Sequence, residues 1–180
     1  GEVNPDIEQM LKMMAAKGYT VYEKPYQINT IGVRYQYPGQ KYSNKFKDRL
    51  YVLYKDDTNV WVLKYWNIST IPGKYASSSK TPLLLKDHVG RPRGGLGILK
   101  PAQYIDVYYM GVHLKQRAMK TTSKSKQLAY RDSNYGSEYI TYSNEDPKNS
   151  TGGYNFAMYI HKGYPGGTRI NNWSEGCQIF

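Results

Sequence analysis

The stretch LYVLYKDDTNVWVL at residues 50–63 decides the fold class of this 180-residue chain. Its two ends, 50–54 and 60–63, are rich in Val, Leu, Tyr and Trp, whereas the link between them is polar. β-Branched and aromatic side chains fit the pleated, half-buried surface of a sheet, and a short polar link between two such runs is typical of a hairpin. The stretch therefore predicts two neighbouring antiparallel strands.

Similar runs recur along the chain and are bounded by turn residues such as Pro38-Gly39 and Pro72-Gly73. The predicted strands are 19–26, 30–37, 49–55, 59–66, 98–99, 105–112, 128–131 and 156–161. The predicted loops are 76–81, the basic segment 115–126, and 143–153. Short strands with little helical periodicity predict a mostly-β sandwich or barrel, which we assign to a β domain over residues 19–180.

The N-terminal segment, residues 1–18, is the exception, because its apolar residues are spaced as on one face of a helix. The apolar stripe consists of Ile7, Met10, Leu11 and Met14. Asn4 is the predicted N-cap, Pro5 takes the first helical position, and Gly18 ends the helix. We expect the stripe to pack against the β domain, and docking onto a partner protein is the alternative interpretation.

Tyrosine dominates the aromatic residues, with Tyr 20, Trp 3 and Phe 3. A core built from tyrosine rings needs each hydroxyl to be hydrogen-bonded or in water. The net charge of +11 predicts attraction to a polyanion such as nucleic acid, teichoic acid or an acidic surface. No apolar run is long enough for a membrane-spanning helix, and no signal peptide is expected from the N-terminal pattern.

The single cysteine, Cys177, excludes an internal disulfide framework and a Cys-based zinc cluster. The histidines are His88, His113 and His161, and no carboxylates are spaced with them as metal ligands. We therefore predict no metal site and no cofactor. His113 lies in an apolar run, which predicts a structural histidine satisfied by a hydrogen bond, and His88 is predicted to lie in an exposed loop.

The segment Asn155–His161 alternates between polar and apolar residues, as a strand does. The apolar members Phe156, Met158 and Ile160 would face the core. The opposite face would carry Asn155, Ala157, Tyr159 and His161. His161 would then stand at a strand end, directly before the loop 162–167, which is rich in glycine.

Gly176 directly precedes Cys177, and a glycine there lets the backbone turn sharply, so that neighbouring amides converge. Converging amides beside a nucleophile form an oxyanion hole, and a cysteine nucleophile also needs a base that generates its thiolate. Among the histidines, only His161 combines a strand end with a loop that returns the chain to the cysteine. The alternative interpretation of a lone cysteine is a small, buried, apolar side chain.

The spacing from His161 to Ser174-Glu175-Gly176-Cys177 resembles the active-site signature of the L,D-transpeptidases. The chain departs from that signature at Glu175, where the family usually carries a second histidine. The resemblance implies an L,D-transpeptidase-like β fold whose cysteine site lies at the C-terminal end of the β domain.

A broader resemblance links the chain to a group of phage and prophage proteins. The segments that carry it are NTIGVR (29–34), NKFKD (44–48), IPG (71–73), GILKPAQY (97–104), GVH (111–113), RD (131–132) and NWSEGCQ (172–178). This resemblance implies a phage-associated cell-wall enzyme or a virion protein, located in the virion or facing the cell wall.

The resemblance also implies a role for each matching residue. Cys177 would attack a peptide carbonyl in a peptidoglycan stem, His161 would generate the thiolate, and the carbonyl of Lys162 would orient the imidazole. Ser174 would fix the turn. The backbone amides of Glu175, Gly176 and Cys177 would form the oxyanion hole. The expected substrate contacts are Asn155, Tyr159 and Trp173.

These observations favour a cysteine-dependent hydrolase or transpeptidase-like enzyme that acts on peptidoglycan stem peptides. A virion structural or adaptor protein with an unused site, contacting other virion proteins, is the alternative. Nucleic-acid binding ranks lowest, because no basic-aromatic module pattern accompanies the positive charge.

Overall fold

The computed structural model describes residues 3–72, 96–132, 138–142, 144–163, 167–170 and 177–180. The helix α1 spans Ile7–Ala16, and a 3₁₀-helix spans Pro147–Thr151. The strands are β1 Asn29–Val33, β2 Asp48–Lys55, β3 Trp61–Ile68, β4 Leu96–Leu99, β5 Tyr108–His113, β6 Gln116–Thr121, β7 Ala129–Asp132, β8 Asn144–Glu145, β9 Ile160–His161 and β10 Gln178–Ile179. The prediction of a mostly-β fold with an N-terminal helix is confirmed.

The chain divides into two compact units, the first formed by Gly1–Val33 with Arg49–Trp66 and the second by Arg34–Asp48 with Asn67–Phe180. The first unit contains α1 and the antiparallel pair of β1 and β2, to which β3 adds as the third strand. The hairpin expected from residues 50–63 is therefore present.

The apolar stripe of α1 lies against the first sheet, as expected. Met10 and Met14 are buried and form a core with Tyr51 and Leu53 of β2. Removing such side chains from water is the main stabilising contribution to this unit, about 2 kcal/mol for each fully buried large side chain.

The start of α1 differs from the prediction. The N-cap is Asp6, whose carboxylate accepts a hydrogen bond from the amide of Gln9, while the Gln9 side chain accepts one from the amide of Asp6. This reciprocal pair is a capping box. The side-chain oxygen of Asn4 instead accepts from the hydroxyl of Tyr51. At the other end α1 stops at Ala16, Lys17 is the C-cap, and Gly18 directly after it has φ +67°, the left-handed conformation expected of a glycine that terminates a helix.

Two of the predicted loops contain regular structure, and one of the predicted strands is absent. The basic segment 115–126 contains β6, which pairs with β5 on one side and β9 on the other. The polar segment 143–153 contains β8 and the 3₁₀-helix. Residues 19–26 form no strand beyond an isolated bridge at Pro25. The loop predicted at 76–81 lies outside the described residues.

The second unit contains two sheets among its described residues. One has the order β10-β9-β6-β5 and the other the order β4-β7-β8. β5 and β6 form an antiparallel hairpin, β9 pairs antiparallel with β6, and β10 pairs parallel with β9. The first of these sheets carries the C-terminal residues that the sequence singles out.

The tyrosine-rich core follows the expectation from composition. A buried cluster contains Tyr42, Ile71, Ile98, Ile140 and Tyr142. The hydroxyl of Tyr42 donates to the carboxylate of Asp132, and that of Tyr142 donates to the carbonyl of Gln36. Each buried ring thus keeps its polar end satisfied, which avoids the cost of an unpaired buried hydroxyl.

Among the described residues, α1 is the only α-helix, and it is too short and too polar to cross a bilayer.

Candidate active site

His161 is the last residue of β9, and the strand is much shorter than the alternating sequence 155–161 predicts. Only Ile160 and His161 have strand pairing, because Ala157 adopts φ +54° and bends the chain before them. Met158 and Ile160 are buried as expected, whereas Phe156 is only half-buried.

Backbone pairing fixes the C-terminal strand on both of its sides. In the parallel register Gln178 lies opposite Ile160 and Ile179 opposite His161. On the other side the amide of Ile179 donates to the carbonyl of Ser69, and the amide of Ser69 donates to the carbonyl of Ile179. Cys177, the residue before this strand, is held next to β9 as a consequence.

The register also fixes how far Cys177 lies from His161. Extending it by one residue places Cys177 level with Tyr159, and His161 is two residues further along. With a strand spacing of ~4.8 Å and a rise of ~3.3 Å per residue, the Cα atoms of Cys177 and His161 are about 8 Å apart.

His161 is buried, with 5% of its surface exposed, and its Nδ1 lies 2.9 Å from the carbonyl oxygen of Lys162. A carbonyl only accepts hydrogen bonds, so the proton of the neutral imidazole belongs on Nδ1 and the lone pair on Nε2. Burial lowers the pKa of His161 below 6.5, the hydrogen bond to Lys162 opposes this, and the charge of His113 lowers the pKa further. The ring is therefore neutral near pH 7.

His113 joins this site, although the sequence predicted only a structural histidine. Its ring centroid lies 5.1 Å from that of His161 and 5.1 Å from that of Tyr159. The signal that points to it is the period-two alternation of β5, which puts Tyr109, Gly111 and His113 on one face.

The thiol of Cys177 is half-buried and donates to the carbonyl oxygen of Ala157 at 3.8 Å. Tyr108 lies close enough for the charge of a Cys177 thiolate to act on its hydroxyl. Burial raises the pKa of Tyr108 above its usual range, and the charge of a Cys177 thiolate adds to that rise, against a hydrogen bond from Gln127. The hydroxyl of Tyr108 donates to the carbonyl of Met158 and stays protonated.

Two other predicted site residues stabilise the segment around the bend. The amide oxygen of Asn155 accepts from the hydroxyl of Thr121 and from the amide of Ala157, and its nitrogen donates to the carbonyl of Thr122. Tyr159 is half-buried, and the ammonium of Lys120 lies 5.5 Å above its ring. The Lys162 side chain is exposed.

The remaining predicted site residues, Trp173, Ser174, Glu175 and Gly176, lie outside the described residues, as does His88. The part of the chain that the structure describes brings the rings of His161, His113 and Tyr159 together, and the thiol of Cys177 contacts the carbonyl of Ala157, near Tyr159 and His161 in sequence. The same described part holds no group of three or more His, Cys, Asp or Glu side chains suited to a metal ion.

No protein-family model, no curated protein and no solved structure matches this chain.

Proposed function

We propose that the protein is a cysteine-dependent enzyme that cleaves or exchanges peptide bonds in peptidoglycan stems, in a phage-associated setting. The observation that supports the proposal is the parallel register of β9 and β10, which brings the backbone of Cys177 alongside the strand that carries the buried, Nδ1-protonated imidazole of His161. A thiol next to a neutral imidazole with a fixed tautomer is the pair that nucleophilic acyl transfer requires.

The proposed reaction begins with proton transfer from the Cys177 thiol to Nε2 of His161. The thiolate adds to the peptide carbonyl, and the tetrahedral intermediate expels the amine, which takes the proton from the imidazolium. A thioester on Cys177 remains. Water or a second amine then attacks the thioester and gives its proton to His161. The Cys177 sulfur leaves as the new bond forms and takes the proton back from His161, so that water completes hydrolysis and an amine completes transpeptidation.

The electrostatic state of His161 supports its role as the base. Because burial lowers its pKa, the imidazole is unprotonated near pH 7 and available to accept a proton. The carbonyl of Lys162 stabilises the imidazolium once it forms, because the hydrogen bond from Nδ1 is retained and becomes charge-assisted.

The reaction requires the thiol to leave the carbonyl of Ala157. In the structure the Sγ–O distance is 3.8 Å, which is a weak contact for a sulfur donor. The proposal therefore requires the thiol to turn from this carbonyl toward the His161 ring when substrate binds.

The choice of peptidoglycan stems rests on the resemblance of His161 and the 174–177 turn to the L,D-transpeptidases. The setting rests on the resemblance to phage proteins, with the wall-facing side of a virion as the expected location. The charge of +11 supports it, because bacterial walls carry polyanions that attract a basic protein.

A muropeptide digest tests the proposal. Wild-type protein and the Cys177→Ala variant are incubated with muropeptides that carry tetrapeptide and pentapeptide stems, and products are resolved by mass spectrometry. We expect new products only with the wild type and with the Met119→Ala control, which removes a sulfur-containing side chain from β6. Identical product profiles for wild type and Cys177→Ala would refute the enzymatic proposal.

A virion structural protein with an unused site is the second candidate, favoured by the contact between the thiol and the Ala157 carbonyl. In that case the thiol serves packing, and Cys177→Ala lowers thermal stability without changing any muropeptide.

A further inference from the structure

His113 and His161 come together across the sheet although a full strand separates them. Ala118 of β6 is the register partner of both Gly111 on β5 and His161 on β9. His113 is two residues beyond Gly111 on the same face, so its side chain reaches diagonally across β6 to meet His161. The ring centroids are 5.1 Å apart and the ring planes are inclined by 57°.

Small residues make this contact possible. Ala118 is buried with only 3% exposed, and a methyl group at this position leaves space above β6. Gly111, on the neighbouring strand, lets the side chains of Lys120 and Tyr109 pack close: a Cβ there would lie 2.9 Å from Cδ of Lys120 and 3.2 Å from the ring of Tyr109. A larger side chain at position 118, between the two histidine-bearing strands, would crowd the contact between the His113 and His161 rings.

The His113 ring also packs edge-on against Tyr159, with centroids 5.1 Å apart at 75°. Tyr159 is level with Cys177 in the parallel register. The other titratable groups near these rings, among the described residues, are Lys120 from β6, Tyr109 from β5 and Cys177 before β10. The ammonium of Lys120 lies 5.5 Å from the centre of the Tyr159 ring.

We infer that His113 is a positioning residue for His161: its ring packs on the imidazole and fixes the ring plane while the Lys162 carbonyl holds Nδ1, which leaves Nε2 as the only basic atom of the His161 ring. This inference rests on the proposed function, because a positioned base matters only if the thiol is used. The contact itself is independent of substrate, and so the two can fail separately.

Three variants separate the packing role of His113 from its charge. His113→Phe keeps a flat ring but removes the ionisable nitrogens, and His113→Ala removes the ring and its nitrogens together. Val112→Ala is the control on the opposite face of the same strand. Val112 is 62% exposed, so its truncation should change little. Thermal unfolding of each variant establishes that it is folded before use.

The first measurement is the NMR titration of the His161 ring without substrate, assigned by its loss in His161→Gln. We expect His113→Ala to raise the midpoint toward the ordinary value, because water reaches the ring and the neighbouring charge is gone. His113→Phe should keep the ring signals sharp and raise the midpoint less than His113→Ala does.

The second measurement is the rate of Cys177 alkylation as a function of pH. We expect a loss of roughly tenfold at pH 7 in His113→Ala, since a misplaced base forfeits much of its effect, and a rate within about twofold of wild type in His113→Phe. The inference is overturned if His113→Ala titrates and labels like Val112→Ala, or if His113→Phe is as impaired as His113→Ala. A titration shift in His113→Ala, together with unchanged muropeptides in the wild type, would support the packing role and refute the proposed function.

Discussion

Ile179 of β10 is the register partner of His161 of β9, and the backbone of Ile179 pairs with Ser69 on its other side. Ile179 is fully buried. Two residues before it, Cys177 is therefore positioned by a strand that cannot shift without breaking hydrogen bonds on both edges. The pairing with β9 brings Cys177 alongside the strand that carries His161, and the pairing with Ser69 holds the other edge of β10.

The buried state of His161 predicts a specific dependence of stability on pH. The pKa of His161 is lower in the folded protein than the 6.5 of the free side chain, because burial disfavours the charged ring. Between the two values the unfolded chain binds more protons, so this contribution to stability is complete above pH 6.5 and is lost as the pH falls through the folded pKa.

Urea unfolding at pH 7.5 and pH 5.5 measures this effect. We expect the free energy of unfolding to fall less between these pH values in His161→Gln than in wild type, and Val112→Ala to behave like wild type. Equal falls in wild type and His161→Gln would contradict the assignment of a buried, neutral imidazole.

Gly153 lies against the backbone of Gln127, and its replacement should lower the stability. It has φ +98°, and a Cβ would lie 2.5 Å from the carbonyl oxygen of Gln127, which is fixed by its bridge to Tyr154. Gly153→Ala should lower the free energy of unfolding by about 3 kcal/mol, from left-handed strain plus overpacking. Gly152 has φ +81° and open space around it. Gly152→Ala should therefore cost only about 1 kcal/mol, and equal costs in chemical denaturation would exclude the predicted clash.

Gln127 links the segment before β9 to Tyr108 and is fully buried. Its nitrogen donates to the Tyr108 hydroxyl and to the carbonyl of Met158, and its oxygen accepts from the Met158 amide. Gln127→Met keeps the side-chain length but leaves these groups unpaired, so we expect a loss of about 2 kcal/mol. Gln116→Met, at a half-buried position of β6, serves as the control in thermal unfolding. A loss no larger than the control's would show that water replaces Gln127 without cost.

The capping box predicts that Asp6→Ala lowers the stability of α1 and of the core it covers by about 1 kcal/mol. Glu8→Ala is the matched control in the same turn, because its ion pair with Lys12 is exposed and contributes about 0.5 kcal/mol or less. Circular dichroism during urea unfolding gives both values. An Asp6→Ala variant as stable as Glu8→Ala would mean that another group caps the helix.

The sequence predicted the elements whose local pattern is strong. The β2–β3 hairpin and the α1 stripe follow from short-range periodicity, and the helix end at Gly18 follows from the special freedom of glycine in the left-handed region. Choosing between Asn4 and Asp6 as the cap needed the tertiary contact of Asn4 with Tyr51, which a local pattern does not contain.

The errors have physical causes too. β6 was missed because Arg117 and Lys120 make the segment look like a solvated loop, whereas pairing with two neighbouring strands stabilises it. The strand 156–161 was overestimated because Ala157 adopts a left-handed conformation that its residue type does not announce. The place of His113 depends on the register of three strands, which no single segment specifies.

The alkylation of Cys177 tests the central claim most directly, because the chain has a single cysteine and every label reports on it. Iodoacetamide labelling is measured from pH 5.5 to 9 in wild type, His161→Gln and Val112→Ala. The account predicts rapid labelling near pH 7 in wild type and in Val112→Ala, and a rate lower by roughly tenfold or more in His161→Gln. Slow labelling that is the same in wild type and His161→Gln would contradict a thiol activated by His161.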